Sequence, residues 1–328
     1  MRVAAVDCGT NSIRLLIAEH DPENATLTDL VRRTEVVRLG QGVDQSGRLD
    51  EEALRRTLAM CREYAAHCRE HAVQRGDVRF VATSASRDAS NAEDFMAGVR
   101  EAFGDLDVEP EVIAGEEEAQ LSFAGATGGL AEAGFEGPYL VVDIGGGSTE
   151  LVRGTREVVA GTSLDIGCVR LTERHHRTDP PTQEVIDAAR FDIAEALDRA
   201  EAEVGLGGIN TVVGLAGSVT TVTAQALGLT SYDRAAIHLA RVPVEEIMEA
   251  CERLILSTRA ERAAQPFMHP GRVDVIGAGA LIWYEILERA RSANGPDLVV
   301  TTSERDILDG IALSILERRA AEGEDLAR

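Results

Sequence analysis

The chain contains no lysine: all 33 basic residues in its 328 are arginines. Any clamp on a phosphate is therefore a guanidinium fork, and a P-loop of the form G-x-x-x-x-G-K-[ST] is excluded. Positive charge is short as well. The formal net charge is −23, which excludes generic binding to nucleic acid or to an acidic membrane, because both require a basic surface. A polyanionic substrate would need a local positive patch on a repelling body. Cysteine is sparse and scattered. Cys8, Cys61, Cys68, Cys168 and Cys251 form no C-x-x-C and are odd in number, the pattern of a reduced, cytoplasmic protein. Cys61, His67, Cys68 and His71 have spacings that suggest a metal site, but the simpler reading is small hydrophobes on one buried helix face. Long apolar runs are absent. The longest stretch, around Val273 to Leu287, is broken by Asp274, Gly277, Gly279 and Glu285, so no segment approaches the ~20 residues of a membrane helix. The run Val3 to Val6 is too short for a signal-peptide core.

What the chain does contain is a repeat. Arg2–His20 and Tyr139–Arg153 both read as strand, tight loop, strand, with Asp7, Gly9 and Ser12 matched by Asp143, Gly145 and Ser148. A repeat at this spacing is a domain-sized duplication. Both halves continue in the order βββαβαβα, which predicts an α/β protein whose hairpins are antiparallel and whose later strands cross over through helices. In the first half, Glu35–Leu39 extends the sheet and Asp50 starts a helix. Strands follow at Val78–Ala82 and Val108–Ala114, with a helix between them capped by Ser90 and Glu93. In the second half, strands are expected at Thr211–Leu215, Val273–Ile276 and Leu298–Thr302, and helices at Val219–Leu227, Val244–Leu256, Ala280–Arg291 and Asp306–Arg319. The linker-like Gly128–Pro138 separates a first domain, 1–127, from a second, 128–305. The last helix, 306–328, is expected to pack back on the first domain.

The loops of the two hairpins carry chemistry. Neither leads into a helix, so the Rossmann arrangement fails. Gly145, Gly146 and Gly147 suit a turn whose bare N–H groups form an anion nest. The hydroxyls of Thr10, Ser12, Ser148 and Thr149 and the amide of Asn11 add donors. Asp7 and Asp143, at strand ends beside the loops, are placed to hold Mg²⁺ against phosphate oxygens.

Two half-chains that each open with a phosphate hairpin resemble the actin-like (ribonuclease H-like) ATPase fold, two duplicated domains with a cleft between them. More specifically, DCGTNSIRLLI (Asp7–Ile17), ATSASRDASN (Ala82–Asn91), GEEEAQLSF (Gly115–Phe123), DIGGGSTEL (Asp143–Leu151), DIGCVRLTE (Asp165–Glu173), GLAGSVTT (Gly214–Thr221) and SERDILDGIAL (Ser303–Leu313) resemble the exopolyphosphatase / guanosine pentaphosphate phosphohydrolase family. The resemblance spans the chain in order. It implies Mg²⁺-dependent removal of the terminal phosphate of polyphosphate, or of the 5′ γ-phosphate of the stringent-response nucleotide pppGpp, with Mn²⁺ as a substitute metal. It makes Glu118 and Glu150 the catalytic carboxylates, one as base and the other, with Asp7 and Asp143, at the metal, without saying which is which. Arg87 matches the family's phosphate-contacting arginine. Ser84, Ser86 and Asn91 could extend its track, and Arg14 reads as a weaker candidate that alternates outward. A basic cluster at Arg170, Arg174, His175, His176 and Arg177 is a further candidate for a long phosphate chain. Longer family members carry a C-terminal helical domain; this chain ends at Arg328, so a short-form enzyme is expected, with weak processivity and no nucleic-acid or membrane partner. Self-association into a homodimer is compatible with the sequence. Two other classes remain open. An actin-like ATP-dependent kinase would use Gly214–Ser218 and Gly277–Gly279 as remnants of an adenosine clamp. A (p)ppGpp-binding sensor would bind tightly with little turnover.

Overall fold

A computed structural model describes residues 1–23, 26–175 and 178–326, the last five as backbone alone. The chain divides into two compact units, residues 1–125 with 307–328 and residues 126–306. Each is built on one five-stranded sheet.

In the first unit the strands are β1 (Arg2–Cys8), β2 (Ser12–Asp21), β3 (Thr26–Val36), β4 (Val78–Ala82) and β5 (Glu111–Val112). Their order is β3-β2-β1-β4-β5. The β1–β2–β3 meander is antiparallel, and β4 and β5 are added in parallel through helical crossovers. In the second unit β6 (Tyr139–Ile144), β7 (Thr149–Gly154), β8 (Val158–Leu164), β9 (Thr211–Leu215) and β10 (Val299–Thr302) run in the order β10-β9-β6-β7-β8. Read from the β8 edge, this is the same topology with the same parallel and antiparallel pairs. The fold is therefore the duplicated α/β architecture that the repeated hairpins predict.

Strand β1 explains why its sequence is apolar without alternation. Ala4, Val6 and Cys8 join a core with the helices Glu51–Glu70 and Ala92–Phe103, while Val3 and Ala5 face a second core built with Ile307–Leu326. A strand covered on both faces is hydrophobic at every position. Asp7 follows the parity of Val3 and Ala5, so it emerges where that face runs out at the strand end. Asp50 caps its helix as expected, its side chain accepting from the N–H groups of Glu52 and Ala53 at 3.0 Å each.

Several expected elements differ. Val273–Ile276 is not a strand: a short 3₁₀ turn at Pro270–Arg272 leads into a helix that already begins at Ile276 and runs to Asn294. Val273 and Ile276 are buried there, and a short apolar run has no period that separates a strand from a buried helix start. Ser90 and Glu93 form no capping box. The helix starts at Ala92 behind Asn91 without a side-chain cap, because Asn91 instead bridges the N–H and carbonyl of Leu49, and Ser90 donates to the carbonyl of Gly47. Only Glu111–Val112 of the expected Val108–Ala114 strand pairs, and β3 begins well before Glu35.

The cysteines are all buried and free of disulfides. Burial pushes the thiols of Cys61 and Cys68 up from 9.0 to about 12, and those of Cys8, Cys168 and Cys251 move the same way. Cys61 and Cys68 pack in the hydrophobic core of the first unit with Tyr64, Ala65 and Phe80. The folded thiols stay neutral while those of the unfolded chain ionise near pH ~8.5. This contribution to stability is complete below that value and is lost as pH rises toward the folded values. Urea midpoints are therefore expected to fall from pH 8 to pH 10, and to fall less in a Cys61→Ala/Cys68→Ala variant; equal slopes would rule out the thiols as the cause.

Candidate active site

The two hairpin loops are built alike. In each, a glycine N–H just after the first strand donates to the serine carbonyl that starts or precedes the second: Gly9 to Ser12 at 3.0 Å and Gly145 to Ser148 at 3.0 Å. None of Gly9, Gly145, Gly146 and Gly147 takes a left-handed conformation, so these glycines do not serve to permit positive φ. Close approach is the reason in the second unit. The helix Cys168–His175 packs end-on against the loop, and Cys168 N–H donates to the carbonyl of Gly145 at 3.0 Å. Val169 and Arg170 N–H both reach the carbonyl of Gly146, at 2.9 and 3.1 Å. Arg170 Nε donates to the carbonyl of Gly147 at 2.8 Å. With those three carbonyls turned toward the helix, the planar trans peptides turn the N–H groups of Gly146, Gly147 and Ser148 the opposite way. Consecutive N–H groups directed to one side form an anion nest.

A Cβ on Gly167 would run into the backbone of Gly146 and Gly147. Gly167→Ala is expected to destabilise the chain by about 1–3 kcal/mol, the usual cost of overpacking, read as a lower denaturant midpoint. A change within error would show that the helix can retreat from the loop.

In the first unit the segment after β3 plays the part of that helix. Val37 and Arg38 N–H donate to the carbonyl of Asn11 at 3.1 and 2.8 Å, and Gly40 N–H donates to the carbonyl of Thr10 at 2.9 Å. The N–H groups of Asn11 and Ser12 are turned away in the same manner. The hydroxyls of Thr10 and Ser84 lie 2.9 Å apart, tying this loop to the turn after β4. In these two joined loops Asn11 Oδ1 and Ser86 Oγ are buried without a protein partner, as at sites completed by water or a ligand.

Among the described residues the buried carboxylates are Asp7, Asp77, Glu118, Asp143, Glu150 and Asp306, of which Asp7, Glu118, Asp143 and Glu150 are those the sequence singles out. Glu118 lies in the first turn of the helix Gly115–Thr127 with Glu116 and Glu117, yet the three diverge. Glu116 is exposed. Glu117 accepts from Arg79 Nη2 at 2.5 Å. Glu118 is buried and accepts from Arg87 Nη1 at 2.7 Å, the same nitrogen that donates to the carbonyl of Ile113 at 2.9 Å. Two residues singled out by the resemblance, Arg87 and Glu118, are thus in direct contact. In the second unit Asp143 and Glu150 are partners across the β6–β7 ladder, at 5% and 1% exposure. Residues opposite each other in a ladder point to the same face with Cβ atoms ~5 Å apart. Ser163 Oγ donates to Glu150 Oε1 at 2.7 Å. Two buried carboxylates set side by side suit a hard divalent cation, and Mg²⁺ characteristically takes one or two carboxylates plus water and phosphate oxygens. The residues present fit that metal.

The corresponding pair in the first unit is different. Asp7 lies opposite Arg14, and Arg14 Nε and Nη2 both donate to Asp7 Oδ2, at 2.8 and 2.6 Å. Arg14 therefore faces Asp7 rather than alternating outward. Its position, seven residues after the aspartate, is the one that Glu150 occupies in the second half, and aligning the two hairpins through the full second strand reveals it. Thr149 also departs from expectation as a phosphate donor. It is fully buried and its hydroxyl donates to the carbonyl of Ile166 at 2.6 Å, so its only proton is committed to the protein.

Other candidates are tied into the second unit. His175 Nε2 meets Asp192 Oδ2 at 2.8 Å, and Arg170 supports the loop from behind, while His176 and Arg177 lie outside the described residues. Gly217 and Gly279 leave space that protein atoms fill: the guanidinium of Arg272 in one case, the side chain of Ser218 in the other. Arg272, absent from the sequence-based set, thereby sits at the N-terminus of the helix Ala216–Ala226 and reaches Thr221 Oγ1 at 3.3 Å. These glycines permit close packing of Arg272 and Ser218.

Comparison with known proteins agrees with this architecture. Residues 16–317 match the model of the Ppx/GppA phosphatase family. Exopolyphosphatase 2 of Mycobacterium tuberculosis is 52% identical over 318 residues, covering 96% of this chain and 98% of that protein. A crystal structure of an exopolyphosphatase-like protein superposes with a TM-score of 0.91 at 43% identity, covering 97% of this chain and 99% of the other. The Aquifex aeolicus member of the Ppx/GppA family superposes with a TM-score of 0.77 at 30% identity, covering 97% and 98%.

Proposed function

The chain belongs to the Ppx/GppA phosphatase family, and from that premise we propose that it is a Mg²⁺-dependent exopolyphosphatase. In this reading it hydrolyses the terminal phosphoanhydride of inorganic polyphosphate. The observation that carries it is the second hairpin, where a nest of N–H groups lies beside the buried carboxylates Asp143 and Glu150. One loop thereby offers both an anion site and a cation site, the two needs of a metal-bound phosphate chain. The substrate assignment leans on the full-length similarity to Exopolyphosphatase 2.

The roles divide as follows. Backbone N–H groups of residues 146–148, with Ser148, take up phosphate oxygens, and those of Asn11 and Ser12, with Thr10, do the same in the first unit. Asp143 and Glu150 would hold Mg²⁺, which when bound offsets negative charge on the phosphate oxygens. Glu118 orients and deprotonates the attacking water, since a carboxylate within hydrogen-bond reach is what this hydrolysis requires. Arg87 aligns Glu118 through Nη1 and directs its remaining N–H groups to phosphate. The 5′ γ-phosphate of pppGpp presents the same terminal group and is included as a second substrate.

Orthophosphate release should be measured side by side with polyphosphate of two lengths, pppGpp and ATP. Release from both polyphosphates, with shortened intermediates accumulating from the longer one, is the expected result. Transfer from ATP to an acceptor with no release from polyphosphate would establish a kinase instead. Tight pppGpp binding without release from any substrate would establish a sensor.

A further inference from the structure

We propose that Gly310, in the helix Ile307–Leu326, is a positioning residue for Glu118. Its missing side chain lets that helix bear directly on the backbone of the helix Gly115–Thr127 about one turn after Glu118, and so fixes where the carboxylate stands. This inference rests on the assignment of Glu118 above and deepens it.

A Cβ at Gly310 would run into the carbonyl oxygen of Leu121, and would lie 2.7 Å from its carbonyl carbon and 3.0 Å from its Cα. All three are main-chain atoms, so no change of rotamer relieves the overlap and one of the two helices has to move. The two are not equally held. The helix Ile307–Leu326 contributes Ile307, Leu308, Ile311, Ala312 and Ile315, none more than 2% exposed, to the core it shares with β1, β2 and β4. Guanidinium contacts pin it on either side of Gly310: Arg32 Nη2 donates to Asp309 Oδ1 at 2.7 Å, and Arg79 Nη1 to Ser314 Oγ at 2.8 Å. Among the described residues, the helix Gly115–Thr127 contributes only Leu121 to that core, at 8% exposure. An added Cβ therefore displaces the helix Gly115–Thr127. Leu121 and Glu118 are three residues apart, neighbours on one helix surface, so a shift at one is carried to the other, whose carboxylate accepts from Arg87 Nη1 at 2.7 Å. Misplacing a reacting group by ~1 Å can cost ~10²-fold in rate.

The test measures orthophosphate release from polyphosphate by the full-length chain carrying Gly310→Ala, alone and combined with Glu118→Gln. Alone, Gly310→Ala should lower kcat by about 10- to 100-fold and leave KM within about threefold, because it moves a reacting group and not a phosphate contact. Added to Glu118→Gln it should cost less than about threefold further, since the carboxylate whose place it upsets is already gone. Ile315→Val, which removes one methyl group from the same core, should lower the melting temperature and leave kcat unchanged. Wild-type kcat in Gly310→Ala, a rise in KM alone, a loss that multiplies in full with that of Glu118→Gln, or a matching fall of kcat in Ile315→Val would each overturn the proposal. If Gly310→Ala does not fold, Arg32→Ala, which removes the guanidinium bond to Asp309 beside Gly310, takes its place. Its kcat should fall several-fold in the wild-type background and not in Glu118→Gln, and equal effects in the two backgrounds would overturn the proposal. Wild-type rates in Glu118→Gln itself would overturn the assignment of Glu118, and this inference with it.

Discussion

Glu118→Gln is expected to lower orthophosphate release by at least ~10²-fold, the contribution of a positioned acid–base group, while the chain stays folded. The substitution keeps the size of the side chain and an oxygen able to accept from Arg87 Nη1, now at 2.7 Å, so the change isolates the charge and basicity of the group. Neighbouring Glu117→Gln provides the control. Glu117 has the same sequence context but is turned to Arg79, and its loss should leave turnover within a few-fold of wild type. Arg87→Ala should cost one to two powers of ten, since a charged hydrogen bond is worth ~1.5–3 kcal/mol and ~1.4 kcal/mol is one power. Because Arg87 also aligns Glu118, the double variant should lose less than the product of the single losses. Wild-type rates in Glu118→Gln would remove this glutamate from the reaction, and a fully multiplicative double variant would separate Arg87 from it.

Physical reasons decide which of these features the sequence could disclose. The hairpins were legible because an aspartate ending an apolar run, followed by a glycine turn, is rare enough that meeting it twice implies duplication. Strands β4 and β9 are legible because a short apolar run bounded by turns leaves little choice of boundary: all five positions of β9 are buried, and all of β4 but Arg79. Val273–Ile276 was not, because its burial comes from the second unit's core and not from a sheet. The rank of Glu118 among three adjacent glutamates was also invisible to the residue pattern, since helix-dipole stabilisation favours an acid at each of them. The resemblance alone singled it out, and burial beside Arg87 is what distinguishes it in the fold. Arg14 is inconspicuous in the sequence because a strand residue just past a loop reads as an outward alternation. Only the ladder register, Asp7 against Arg14 and Asp143 against Glu150, shows that the two positions answer each other. Thr149 looked like another loop hydroxyl, and nothing local reveals that the carbonyl of Ile166 takes its proton.

Removal of divalent cations is expected to abolish turnover altogether. Asp143 and Glu150 are buried opposite each other on one ladder. Like charges on facing ladder positions disfavour one another, the more so where water is excluded. Ser163 Oγ also donates to Glu150 Oε1 at 2.7 Å. A bound Mg²⁺ turns the same arrangement from a cost into a binding site, so metal should stabilise the folded chain as well as activate it. Dialysis against EDTA should therefore reduce orthophosphate release to background and lower the melting temperature, and added Mg²⁺ should restore both. Glu150→Gln and Asp143→Asn should weaken both effects. Each removes one carboxylate, so Mg²⁺ should raise their melting temperature less than it raises that of wild type, and their activity should require far more Mg²⁺ or fail to return. Full activity after exhaustive chelation would show that the carboxylate pair serves another purpose. Restored activity without any shift in melting temperature would place the essential cation on the substrate rather than on Asp143 and Glu150.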